Sequence, residues 1–128
     1  MPPAKNAPSL AGLRILIVED ELLLAMDYEE MLLGEGCTVL GPVGRKAKAL
    51  ALLQRERPDA AILDLNLAGE RSTPVAEALE ARQVPFVVVS GYGEKTLLEP
   101  VLRRAPRLDK PLQVQELLRL IAVIAPPG

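Results

Sequence analysis

Apolar residues along this chain fall into short unbroken runs, separated by longer stretches where they recur every three or four positions. The runs are RILIV at residues 14–18, AAILDL within 59–66 and PFVVVS at 85–90. Continuous apolar runs of this length predict strands buried on both faces of a parallel sheet. Residues 38–43 form a weaker strand, with Gly41-Pro42 suiting an edge or a strand terminus, and Arg107-Leu108 a minimal fifth. The intervening stretches predict helices. The first runs to about Leu33, with Leu24, Tyr28, Met31 and Leu32 on one face and Gly34 and Gly36 as stops. The second covers residues 45–57 and ends at Pro58. The third starts at Thr73 as N-cap with Pro74 in its first turn, and the last covers residues 112–124. Pro100 and Pro106 break up residues 94–105, so the fourth helix is expected to be short or irregular.

Five alternations of strand and helix imply an α/β fold with helices on both faces of a parallel sheet. The flavodoxin-like, doubly wound order 2-1-3-4-5 is the usual solution at this length. The expected organisation is a flexible lead over residues 1–10, one domain over 11–125 and a tail over 126–128.

Composition narrows the function. Aromatic residues are 2% of the chain and the formal net charge is −2, which disfavours nucleic-acid binding. The absence of histidine excludes a Ser-His-Asp machine and a histidine phosphocarrier. Cys37 is the single cysteine and reads as a small core residue. The N-terminus lacks the apolar segment of a secretory signal and no run approaches membrane-spanning length, so the expectation is a cytoplasmic domain with no membrane partner.

The chemistry gathers at strand ends. Glu19, Asp20 and Glu21 follow the first strand, Asp64 closes the third, Ser90 the fourth, and Lys110 follows the fifth. Ligands of open α/β sheets bind beyond these carboxyl ends. Singly, each residue reads as a cap, a turn residue or a solvated charge. Jointly they form a set suited to phosphoryl transfer. Clustered carboxylates repel one another and call for a cation. Mg²⁺ is bound by one or two carboxylates with waters and phosphate. An Asp beside that ion can serve as nucleophile, while Lys110 and Ser90 offer a positive charge and a donor to phosphate oxygens.

With these residues in order, the chain resembles the receiver domains of two-component response regulators over nearly its whole length. PFVVVSGY is similar to the Phe-Ala-Thr-Gly-Tyr signature of a stand-alone subgroup. The resemblance implies a single-domain response regulator. Asp64 would accept a phosphoryl group from a sensor histidine kinase or a histidine phosphotransfer protein. Asp20 would ligate Mg²⁺ directly, Glu19 would act through water, and the Asn66 backbone carbonyl would complete the set. Ser90 would be the switch hydroxyl and Lys110 the phosphoryl partner, beside a Lys110–Pro111 bond that is often cis. Beyond its own aspartyl phosphorylation and dephosphorylation, no enzymatic activity is implied. A homodimer face on the last helix follows by analogy alone.

Two departures stand out. Arg107 occupies the usual position of a switch aromatic, and Tyr92 is the nearby aromatic that could substitute. The extra apolar residues Leu22, Leu23 and Met26 suit a partner's docking surface or a broadly buried helix. Two other readings remain: a phosphatase resembling the haloacid-dehalogenase type, which would need a second Asp where Asn66 stands, and a phosphorylation-independent adaptor.

Overall fold

A computed structural model describes residues 10–91 and 99–126. Its sheet consists of β1 (Arg14–Val18), β2 (Thr38–Val43), β3 (Ala60–Asp64), β6 (Phe86–Ser90) and β7 (Arg107–Asp109). The order is β2-β1-β3-β6-β7, with every pairing parallel. This is the flavodoxin-like order. The three central strands read as apolar runs because both faces are covered: every residue of β3 and β6 is buried.

Side chains alternate across the sheet into two cores. Leu16, Val18, Leu63 and Val88 pack with Leu53 of α2 (Lys46–Arg55) and with Val75 and Leu79 of α3 (Thr73–Ala81). Ile15, Ile17, Ile62 and Val87 pack on the other face with Tyr28 and Leu32 of α1 (Leu22–Gly34) and with Leu117 and Ile121 of α5 (Val114–Ile124). Helix α4 is one turn, Pro100–Arg103, bounded by the prolines that predicted its brevity.

Several details depart from the sequence reading. Leu10, assigned to the flexible lead, is buried, and its carbonyl accepts the Cys37 thiol at 3.3 Å. The N-cap of α3 is Ser72 rather than Thr73, and Ser72 Oγ reaches back to Leu65 O at 3.1 Å. The inward face of α1 is Ala25, Tyr28 and Leu32; Leu24 and Met31 lie at its margin. Residues 66–71 form a hairpin of β4 (Asn66–Leu67) and β5 (Glu70–Arg71) instead of a plain loop. Its two turn residues, Ala68 and Gly69, have φ of 52° and 87°, as a type I′ turn demands. Tyr92 and the first part of the 94–105 segment lie outside the described residues.

At the edge of the sheet, Gly41 has φ +85° and lies beside an irregularity in the β1–β2 register. A Cβ there would meet Val43 N at 2.8 Å, so glycine suits this irregular point of the strand. Just beyond the strand, Gly44 lies against Asp20, where a Cβ would be 3.2 Å from the Asp20 Cα.

Candidate phosphoryl-acceptor site

Each strand delivers one component as its backbone pairing ends. β1 stops at Val18, and the Glu19 N–H still donates to Val43 O at 2.9 Å. That bond carries Glu19 under the rim while Asp20 emerges exposed. Asp64 is the last residue of β3 and pairs with Val89 of β6. The Lys110 N–H donates to Ser90 O at 2.7 Å, and the Lys110–Pro111 bond is cis. Carboxylate oxygens of Glu19, Asp20 and Asp64 all lie within 4.8 Å of one another. Asp20, Glu21, Asp64, Asn66, Gly91 and Lys110 line a cavity of about 270 Å³.

The carboxylates are held by short-range bonds. Asp64 Oδ1 accepts the Asn66 N–H at 3.2 Å, and Asp64 Oδ2 accepts Lys110 Nζ at 3.0 Å. Glu19 Oε2 accepts the Glu21 N–H at 3.0 Å and lies 3.4 Å from Lys110 Nζ. Asp20 Oδ2 accepts the Ala68 N–H at 3.0 Å, which ties the hairpin turn to the site. Lys110 also donates to Glu21 Oε1 at 2.6 Å, so one ammonium serves three acids.

Burial dominates the electrostatics. It pushes Glu19 up to about 8, and the hydrogen bond and charge of Asp64 add to the rise. Burial also raises Asp64, while its hydrogen bonds with Glu19 and Lys110 pull the other way. For Lys110 burial works against the charge, but the hydrogen bonds to Glu21 and Asp64 outweigh it and its pKa rises. Burial thus favours the protonated forms of Glu19 and Asp64, an effect that one lysine does not cancel.

That imbalance fits a divalent cation. The donors are all oxygens, as Mg²⁺ requires. Glu19 Oε1 is buried and accepts no hydrogen bond, although Lys110 Nζ is 3.4 Å away. Asn66 stands on the cavity wall next to Asp64.

Ser90 is at the strand end but turned aside. Its Oγ donates to Asp109 Oδ1 at 2.9 Å, and Asp109 lies 3.7 Å from Arg107 Nε. Sequence reasoning missed Asp109. Its signal was the parallel register, which sets Ser90 opposite Asp109. Ala68 also went unnoticed because it acts through its backbone.

The family comparison rests on the same span. The response regulator receiver domain matches residues 15–122. The chain belongs to the response regulator receiver domain family. Among solved structures, this receiver is similar to SdrG from Sphingomonas melonis Fr1, with TM-score 0.77 and 43% identity, over 91% of this chain and 98% of that one. It is also similar to the receiver domain of the sensor histidine kinase PA1611 from Pseudomonas aeruginosa PAO1. There the TM-score is 0.75 and the identity 27%, over 89% and 98% of the two chains; that structure has a magnesium ion coordinated in its active-site cleft. The transcriptional regulatory protein PdtaR of Mycobacterium tuberculosis is 29% identical over 122 residues, which are 93% of this receiver but 60% of PdtaR. The receiver therefore spans about three fifths of that curated relative. Among the described residues, no helix is long and apolar enough to cross a membrane.

Proposed function

We propose that this receiver takes a phosphoryl group onto Asp64 from a phosphohistidine of a histidine kinase or phosphotransfer protein, with Mg²⁺ bound, and signals through protein contacts. The observation that carries the reading is the Lys110 ammonium 3.0 Å from Asp64 Oδ2, inside a ring of further carboxylates. An Asp64 oxygen forms the new O–P bond, the N–P bond of the donor breaks, and the imidazole leaves with its electron pair. Asn66 N–H fixes the second oxygen. Lys110 screens the incoming phosphoryl charge. Ser90 leaves Asp109 to donate to a phosphoryl oxygen. Glu19, Asp20, Asp64 and the Asn66 carbonyl would hold the Mg²⁺, which neutralises charge on the transferring group.

The partner's docking face is the start of α1, where Leu22 and Leu23 are 71% and 78% exposed beside the site. These positions exclude the broadly buried helix as the account of their apolar character. Residues 11–125 are the functional unit, acting in the cytoplasm. A homodimer through α5 remains the second association to test.

Incubation with acetyl phosphate and Mg²⁺ tests the reading by intact mass. One phosphoryl adduct is expected, and none in Asp64→Asn. Multiple turnover of phosphate esters would instead support the phosphatase, although Asn66 lacks the acid that such turnover requires. No adduct under any condition would support the adaptor.

A further inference from the structure

The strand end that bears Ser90 is bordered by a charged pair on the edge strand. The parallel register sets Ser90 opposite Asp109 and Val88 opposite Arg107. Residues two apart on a strand share a face, and residues opposite one another project to the same side. Ser90, Asp109 and Arg107 therefore meet on one side of the sheet. One atom joins them: Asp109 Oδ1 accepts the Ser90 hydroxyl at 2.9 Å and also lies 3.7 Å from Arg107 Nε.

The two contacts differ in kind. The Ser90 bond is short and its donor is buried. The Arg107 contact joins opposite charges but lies beyond hydrogen-bond range. A guanidinium engages a carboxylate best through two parallel N–H···O bonds that take both oxygens. With Oδ1 held toward Ser90, that arrangement is not made. An oxygen whose charge is drawn to a cation is in turn a weaker acceptor for a hydroxyl. Ser90 and Arg107 are thus rivals for the same carboxylate.

We propose that Arg107 is a positioning residue for the phosphoryl group: by drawing on Asp109, it sets how readily the Ser90 hydroxyl is released to a phosphoryl oxygen. When Ser90 turns to phosphorylated Asp64, Arg107 closes on the Asp109 carboxylate and offsets the bond lost there. The coupling runs both ways, as linkage requires. Arg107 favours the released hydroxyl, and the released hydroxyl favours the closed Arg107–Asp109 pair. The rivalry for Asp109 is a property of the unphosphorylated protein; its effect on the phosphoryl group rests on the proposed function.

The Arg107 and Asp109 side chains are 30% and 43% exposed, so the effect is that of a partly exposed ion pair. In Arg107→Gln the aspartyl phosphate is expected to decay about two- to fivefold faster, because Asp109 then holds Ser90 without that competition. Arg107→Lys keeps the charge and should fall between the two. Asp109→Asn keeps an acceptor for Ser90 but offers Arg107 no charge, so in that background Arg107→Gln should change nothing. An unaltered lifetime in Arg107→Gln, or a change that persists beside Asp109→Asn, overturns the proposal. A second measurement needs no phosphate. Ser90→Ala removes the rival, and the Arg107 Nε–H, followed by side-chain NMR, is expected to exchange with solvent about two- to fivefold more slowly. An unchanged rate overturns the rivalry itself. Should that exchange slow while Asp64 takes no phosphoryl group by intact mass, the proposed function falls, with the lifetime effect, and the rivalry for Asp109 stands.

Discussion

Lys110 is the residue on which the pocket's charge balance turns. Its ammonium contacts Glu19, Asp64 and Glu21, and its side chain is 16% exposed. Replacing it by Met leaves buried carboxylates without their cation, which is costlier than losing an exposed pair. Lys110→Met is expected to lower metal-free stability by about 2–3 kcal/mol in urea unfolding near neutral pH. It should also slow labelling of Asp64 by acetyl phosphate, read by intact mass, because the incoming phosphoryl charge loses its cation. Asp109 poses a subtler case. It accepts the Ser90 hydroxyl at 2.9 Å and so competes with a phosphoryl oxygen for the same proton. A net hydrogen bond of about 0.5–1.5 kcal/mol corresponds to about a two- to tenfold population effect. Asp109→Ala should therefore lengthen the aspartyl phosphate lifetime by about that factor, measured as phosphoprotein decay. The change should vanish in a Ser90→Ala background. From sequence, Glu19, Asp20, Asp64 and Lys110 were legible because each closes or follows a strand. The aim of the Ser90 hydroxyl was not, because it depends on which side chain the neighbouring strand sets beside it.

Helix α1 carries two apolar faces, and only one is structural. Ala25, Tyr28 and Leu32 are buried, whereas Leu22, Leu23 and Met26 are 71%, 78% and 52% exposed. Periodicity alone could not separate them, since apolar residues surround the first turns. Substituting Leu22 and Met26 by Lys is expected to change the melting temperature little, because exposed positions tolerate such changes. Phosphotransfer from a cognate kinase should slow at least tenfold, while labelling by acetyl phosphate stays at the parental rate. Equal phosphotransfer would remove α1 as the docking face. The hairpin of β4 and β5 escaped the sequence reading for a different reason. Two-residue strands have no alternation to detect, and its one local signal was Ala68-Gly69. The N-cap of α3 is one residue earlier than read, and Ser72 does not act as a side-chain cap: its hydroxyl donates to Leu65 O at 3.1 Å. The short α4, by contrast, followed directly from two prolines whose backbone effect is local.

Across the molecule, protons and the proposed Mg²⁺ would compete for one end of the sheet. The Glu19 carboxyl is raised to about 8 by burial and by Asp64. Its folded pKa lies above its unfolded one, so the stability it contributes is full at acid pH and fades as pH climbs toward about 8. Metal-free protein should therefore lose part of its melting temperature between the ordinary carboxylate range and about pH 8. Mg²⁺ needs the deprotonated carboxylate. Its stabilising effect should grow across the same interval, as thermal melts with and without millimolar Mg²⁺ would reveal. A Mg²⁺-induced shift independent of pH would argue that Glu19 does not take part. The overall architecture was legible because buried parallel strands write themselves as uninterrupted apolar runs. The far end of the same sheet has another use. There Ile124 shares a cavity wall with Val84, Pro85, Phe86 and Pro106, at the points where β6 and β7 begin. A fluorescent reporter or affinity handle joined after Pro126 would accordingly sit at the pole remote from Asp64, leaving the approach of a donor protein unobstructed.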